Sequence, residues 1–235
     1  MNRNFLFFIL LFCLSCGRET EQVIAPKFAC EQRMELIRAT GGFPVSFGFD
    51  LSVEEEFDYF EKQTGLNNCN QPKTFSVDMA LNDSTSINIQ LLTDRYCAED
   101  STDYMLACFR PSTLMVLMNS QSNLLVEDEF CELDSLRSAI SRGITQDMLD
   151  WNNRRVLISV LWDSVTPVPF RKKVFNEVIQ GYLDYADQRA MESYGKDVCS
   201  LDSVELHTLK DECKLIFMLE DHFYRIPPPP PPREG

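Results

Sequence analysis

"RRVLISVLWD", Arg154 to Asp163, is the stretch on which the fold turns. Its apolar residues do not alternate with polar ones, and the run is too short for a long helix. That pattern marks a central strand buried on both faces. A sheet built around such a strand needs partners on either side, and the flanking sequence supplies them.

On the C-terminal side, Pro169 opens a long helix, since Pro is favoured at the first helical position. Phe170, Val174, Val178, Tyr182 and Tyr185 form one apolar stripe, and Gly195 is the stop. A short helix follows within "DSVELHTLKDE". "KLIFML" (Lys214–Leu219) is the last clear strand, with "HFYRI" as a candidate continuation. On the N-terminal side, Asp134 caps "SLRSAISRG", which puts Leu136, Ala139 and Ile140 on one face. Before it, "TLMVLMNS" and "NLLVEDEF" read as strands joined by a polar turn.

Further back, residues 94–111 form a loop with two cysteines. "TFSVDMAL" and "SINIQLLT" both alternate and are joined by "NDST", which predicts a hairpin. Ser52 followed by Glu55 is a capping box, so "VEEEFDYFEKQT" is expected to be a helix closed by Gly65. "GFPVSFGFDL" has the period of a half-buried strand, and "ACEQRMELIRAT" reads as a helix ending at Gly41–Gly42. The heptads Leu51–Phe57 and Leu124–Phe130 resemble each other. One shared heptad without a sustained period is thin support for an internal duplication. The expected fold class is α+β, with one or more small mixed sheets and helices packed on one face.

The first residues set the expected address. "FLFFILLFCLSC", Phe5 to Cys16, holds about a dozen apolar residues, whereas a membrane-crossing helix needs about 20. With Arg3 before it, the stretch suits a leader. Leu14 and the small Ser15 before Cys16 resemble a bacterial lipoprotein signal, in which Cys16 receives the lipid. The usual Leu three places before that cysteine is Cys13 here. The alternative is an ordinary signal peptide cleaved without lipid. The expected divisions are a leader over 1–15, a tether over 16–27, an N-terminal α+β region over 28–111, a second α+β domain over 112–226 and a proline-rich tail over 227–235.

Composition narrows the function. A net charge of −14 argues against nucleic acid as a partner and against polybasic lipid binding. No zinc-type spacing occurs among Cys30, Cys69, Cys97, Cys108, Cys131, Cys199 and Cys213, so neither a metal nor another cofactor is expected. An exported chain meets oxidant, and disulfides are the natural reading. Short loops suggest Cys97 with Cys108 and Cys199 with Cys213, Cys30 with Cys69 is the remaining early pair, and Cys131 is left as a buried odd thiol.

Catalysis has little to stand on. There are two histidines, His207 and His222, and no nucleophile elbow, P-loop or dinucleotide fingerprint. Glu127, Asp128 and Glu129, read as one strand, alternate faces. Trp151 and Trp162 could line a sugar cleft, though Trp162 inside the apolar run reads as core. No catalytic residue is assigned. The run Pro227, Pro228, Pro229, Pro230, Pro231 and Pro232 is a preformed polyproline II segment, and it is the best candidate for partner docking.

The second half resembles the periplasmic domain of the ExbD/TolR family, small partners of proton-driven membrane motors. "LMVLMNSQSNLLVEDEFCELDSLRSAI" looks like that family's strand, turn, strand and helix. "GYLDYADQRAMESYGK" is similar to a longer branch of the family through Tyr182, Asp187, Ala190, Tyr194, Gly195 and Lys196, with Ala186 where an Arg is common. The resemblance implies an envelope location, motor or TonB-type partners and homodimers. Family members carry a proton-bearing aspartate in a transmembrane helix, and Phe5–Ser15 has no acid. The expected function is therefore a non-catalytic, lipid-anchored envelope protein, facing the periplasm or the cell surface. It would act as an interaction module, pairing through a strand edge near "KLIFML". The rival is a surface protein that binds carbohydrate or peptide, or a hydrolase.

Overall fold

A computed structural model describes residues 30–67, 72–82, 85–95, 113–151 and 155–220, with the side chains of 147–151 excepted. Arg155–Trp162 is strand β7, and every residue after Arg155 is buried. It lies between β4 (Thr113–Met118) and β8 (Lys214–Glu220), parallel to both. The remaining strands are β1 (Phe43–Ser46), β2 (Lys73–Ala80), β3 (Ser86–Asp94), β5 (Leu124–Val126) and β6 (Glu129–Cys131). They complete one eight-stranded mixed sheet in the order β1-β2-β3-β8-β7-β4-β5-β6.

The α+β class is as expected, but the small sheets are fused into one. The fusion is the parallel pairing of β3 with β8, Leu91 opposite Phe217 through Asp94 opposite Glu220. "KLIFML" is thus an interior strand with both edges occupied. It pairs with β7 along Lys214–Met218 and with β3 along Phe217–Glu220, so it is not an edge of the sheet.

The helices are α1 (Glu31–Ile37), α2 (Val53–Thr64), α3 (Leu133–Trp151), α4 (Val168–Tyr194) and α5 (Ser203–Glu212). Local chemistry sets their ends. Ser52 Oγ accepts from Glu55 N at 3.2 Å, and Glu55 returns the bond to Ser52 N at 2.7 Å. Gly65 and Gly195 close α2 and α4 at φ 68° and 67°, the left-handed conformation that glycine adopts without strain. Asp202 and Glu205 form a second capping box on α5. Pro167 is the N-cap of α4 and Pro169 lies inside its first turn.

Helix α4 buries far more than one stripe: Val174, Val178, Tyr182 and Tyr185, and also Phe175, Ile179, Leu183, Ala186 and Ala190. It packs against the sheet and alongside α3, and Gly181 permits the close approach to α3. A Cβ there would sit 2.7 Å from Arg137 O and from Ile140 Cβ. Arg137 and Asp184 clamp the same crossing through two hydrogen bonds of 2.5 and 2.6 Å.

The two similar heptads are not equivalent in structure. Leu51–Phe57 enters helix α2, whereas Leu124–Phe130 makes a strand, a tight turn and a second strand.

Cys30 is bonded to Cys199, 169 residues away. The expected Cys30–Cys69 and Cys199–Cys213 pairings are therefore corrected. A short loop favoured Cys199–Cys213 and left Cys30 to Cys69, but α1 lies against the 3-10 turn Val198–Ser200, which brings Cys30 and Cys199 together. Cys213, the C-cap of α5, is a buried thiol that donates to Leu209 O. Cys131 is a free thiol among the described residues and only half-buried, not fully buried as expected.

A cross-link spanning this much chain removes loop-closure entropy from the unfolded state. Breaking it with reductant, or with Cys30→Ser and Cys199→Ser together, should cost about 2–5 kcal/mol of unfolding free energy. Denaturant titration checks this, and reductant should add nothing further to the double variant's loss. Gly181→Ala, which forces α3 and α4 apart, should cost about 1–3 kcal/mol in the same assay.

Candidate functional site

Two places gather polar chemistry. The first is an open groove of about 640 Å³ between the β5–β6 hairpin and α3. The hairpin tip dictates its shape. Glu127 and Asp128 have φ of 52° and 67°, the geometry of a two-residue turn that favours Asp and Asn. They leave the strand path, so the expected face alternation of Glu127, Asp128 and Glu129 does not hold. Glu127 N donates to Met115 O at 3.1 Å, and Met115 N donates to the Glu127 carboxylate at 2.5 Å, which pins the tip to β4.

Helix α3 forms the opposite wall through Ser135, Ala139, Arg142 and Gln146. It can lie close because Gly143 has no Cβ; one would meet Leu114 Cδ1 at 2.6 Å. Cys131 lines the groove, and its thiol donates to Glu132 O at 3.3 Å. Burial pushes this thiol up from its ordinary range. Arg142 pulls it down and Glu132 adds to the rise. A raised thiol is mostly protonated at neutral pH, so Cys131 is a poor nucleophile.

The second place is internal. The loop from Phe47 to Ser52 is held between an acid and a cation. Glu56 is fully buried, one carboxyl oxygen accepting from Gly48 N at 2.6 Å and the other without a hydrogen-bond partner. Arg171, 2% exposed, donates to Phe49 O at 2.9 Å, Leu51 O at 2.6 Å and Ser164 O at 2.9 Å. Trp162 Nε1 donates to Leu51 O at 3.0 Å. Burial raises the Glu56 carboxyl to about 8. The Gly48 bond and Arg171 oppose the rise, and Asp50 reinforces it. Desolvation wins, and Glu56 is a neutral acid at pH 7.

The structure sorts the sequence candidates unevenly. Cys16, Cys69, Cys97, Cys108, His222 and Pro227, Pro228, Pro229, Pro230, Pro231 and Pro232 lie outside the described residues, as does the Trp151 side chain. His207 is exposed on α5, 3.6 Å from Asp211. Trp162 is core, packed edge-on against Phe47 and Phe175. Asp187 accepts from Arg33 and, at 3.1 Å, from Val198 N beside the disulfide. Lys196 bonds Glu205 at 2.9 Å, and Tyr182 donates to Cys213 O at 3.0 Å.

Sequence reasoning missed Glu56 and Arg171. A signal for Glu56 was present: once Ser52 sets the helix phase, Val53, Glu56, Phe57 and Phe60 fall on one face, and all four are buried. Arg171 gives no such signal, because its partners are main-chain carbonyls about 120 residues earlier. No family model, curated protein or solved structure matches this chain.

Glu56 makes stability depend on pH. Its folded value lies above the ordinary 4.5, so the unfolded chain gives up the proton first as pH rises. The contribution of Glu56 is full below about 4.5 and declines until pH passes about 8. The linked loss reaches up to about 5 kcal/mol. Glu56→Gln keeps an acceptor for Gly48 and cannot ionise. It should match the parent near pH 4, exceed it at pH 8, and flatten the curve between, as read by urea unfolding at each pH.

Proposed function

We propose that this chain is an exported envelope protein, lipid-anchored at Cys16, whose folded body is a non-catalytic interaction module. The observation that carries the reading is the Cys30–Cys199 bond. A structural disulfide belongs to an oxidising compartment, and this one joins Cys30 to a turn 169 residues further along the chain. The leader, with its run too short to cross a bilayer and a cysteine at its end, points the same way. Among the described residues no helix is long and apolar enough to span a membrane.

The ExbD/TolR-like reading is supported by element order. Hairpin β4–β5, helix α3, strand β7, long helix α4 and strand β8 follow in the order of the resemblance, with β6 added before α3 and α5 added before β8. On this reading the protein is an accessory of a proton-driven envelope complex and does not itself move protons. Among the described residues the outermost strands of the sheet are β1 and β6. Gln63 covers β1, bonding Ser46 N at 3.1 Å and Ser46 O at 3.3 Å, which leaves β6 with its exposed Phe130 as the better docking edge. The groove favours a second reading, a surface protein that binds a ligand there.

Two measurements test the first reading. Metabolic labelling with a fatty acid in a bacterial host should mark the parent and not Cys16→Ser. Crosslinking followed by detergent extraction should recover an inner-membrane motor component, with Phe130→Asp reducing the yield several-fold. Lipid labelling without any motor component would retain the anchor and reject the complex.

A further inference from the structure

The two outermost strands end the sheet in opposite ways. In the parallel pair β1–β2, Phe47 N donates to Asp78 O, so Val45 and Phe47 turn their main chains toward β2. Pro44 and Ser46 turn theirs outward. Pro44 has no N–H to give, and the Gln63 amide takes both main-chain groups of Ser46. Among the described residues, an incoming strand would find an acceptor on β1 and no donor.

Strand β6 is built the other way. Asn119 N donates to Asn123 O and Glu127 N donates to Met115 O, so Asn123, Leu125 and Glu127 turn their main chains toward β4. Leu124 and Val126 turn theirs toward β6, where they meet Cys131 and Glu129. Phe130, between those two, therefore points both its N–H and its C=O away from the sheet. Among the described residues no strand stands opposite it, and its side chain is 67% exposed. An unpaired donor and acceptor beside a bare aromatic ring make an edge that accepts a strand.

Side chains fix what that strand must carry. Leu161 stands opposite Leu117, Leu117 opposite Leu125, and Leu125 opposite Phe130, so one apolar row crosses this face of the sheet. The row is buried at Leu161, half-buried at Leu117 and Leu125, and exposed at Phe130. In an antiparallel addition, the residue opposite Phe130 pairs through its own N–H and C=O, and its side chain extends the row. Its neighbours point to the other face, where Glu129 and Glu132 line the groove and are exposed.

Charge selects the occupant. A second copy could pair Phe130 with Phe130 about a two-fold axis. That arrangement sets Asp128 of each copy opposite Glu132 of the other and crowds Glu127 and Glu129 beside them, in a chain whose net charge is already −14. Like charges directly opposite one another are destabilising. Lysine or arginine on the incoming strand turns the same contacts into attraction, opposed within the groove by Arg142.

We propose that β6 takes an antiparallel strand from another protein, an extended segment in which apolar and basic residues alternate, apolar toward Phe130 and basic toward Glu129 and Glu132. The inference rests on the interaction-module reading and gives the chemistry of its partner. Because β6 is short, the contact is weak and depends on salt.

The test uses the full chain in nonionic detergent and a fluorescein-labelled peptide of alternating lysine and valine, read by fluorescence polarisation. Binding should saturate and weaken as salt rises. Phe130→Pro removes the outward N–H and no bond inside the sheet, and should lower affinity about tenfold. Glu129→Gln with Glu132→Gln should lower it several-fold. Peptides supply a readout that leaves the protein untouched: N-methylation of the valines should abolish binding, and N-methylation of the lysines should preserve it. Equal binding by both methylated forms, or by an isomer with its lysines and valines in separate blocks, overturns the proposal. So does a dimer of the parent chain that Phe130→Pro dissociates, since the edge would then belong to a second copy. Envelope crosslinking separates this proposal from the reading beneath it. A motor component captured by a chain that ignores the peptide overturns the strand and keeps the module, whereas no captured protein at all overturns the module.

Discussion

The buried guanidinium of Arg171 is the contact on which the rest of the structure depends. It belongs to α4, yet its hydrogen bonds go to carbonyls of the Phe47–Ser52 loop and of the turn after β7. An unpartnered buried cation would cost several kcal/mol, so the chain must bring those carbonyls to it. Doing so fixes where the first half of the sequence meets the second. The indole of Trp162 shares the Leu51 carbonyl and packs on Phe47 and Phe175, and Phe47, Phe49 and Phe175 pack on one another, with ring centroids 4.9 to 5.9 Å apart. Aromatic pairs of this kind add about 0.5–1.5 kcal/mol each beyond their burial.

Glu56 shows what that arrangement demands. A carboxylate beside a buried arginine would ordinarily be ionised, and here it is not. Burial outweighs the Gly48 hydrogen bond and the pull of Arg171, and Asp50 adds a like charge, so desolvation decides. The neutral acid still accepts from Gly48, while Arg171 holds the carbonyls of Phe49 and Leu51 in the same loop. The loop is thus fixed by one charged and one uncharged group. A second full charge at this depth would have raised the solvation cost without adding a hydrogen bond.

Features set by neighbours in sequence were legible from residues alone. The apolar run around Ile158 is the central strand, Ser52 and Glu55 cap as their spacing requires, and Gly65 and Gly195 stop their helices. The β2–β3 hairpin follows its alternation, although its register needed the structure. What failed depended on distance. Continuous burial in "KLIFML" is the same whether a strand is the last in its sheet or an interior one. Its interior place came from pairing with β3, about 125 residues earlier. Cysteine pairing by short loops failed for the same reason, since packing of α1 against the turn at Val198 outweighs nearness along the chain. Of the groove, the acidic turn was visible as composition, but its left-handed residues were hidden inside what reads as a strand.

The seven-residue helix α1 is too short to hold itself, because isolated helices of that length do not repay nucleation. Its attachment is distributed. Cys30 is covalently bound to Cys199, Arg33 pairs with Asp187 on α4, and Glu35 receives Lys210 from α5. These bonds face three separate elements, so a pull applied at residue 30 is carried by the end of α4 and by α5 as well as by α1. Whatever precedes Cys30 is therefore joined mechanically to the layer that covers β8. For a protein held by a tether at that end, this places the load on the central sheet and leaves the β5–β6 edge, at the far side of the strand order, free of it.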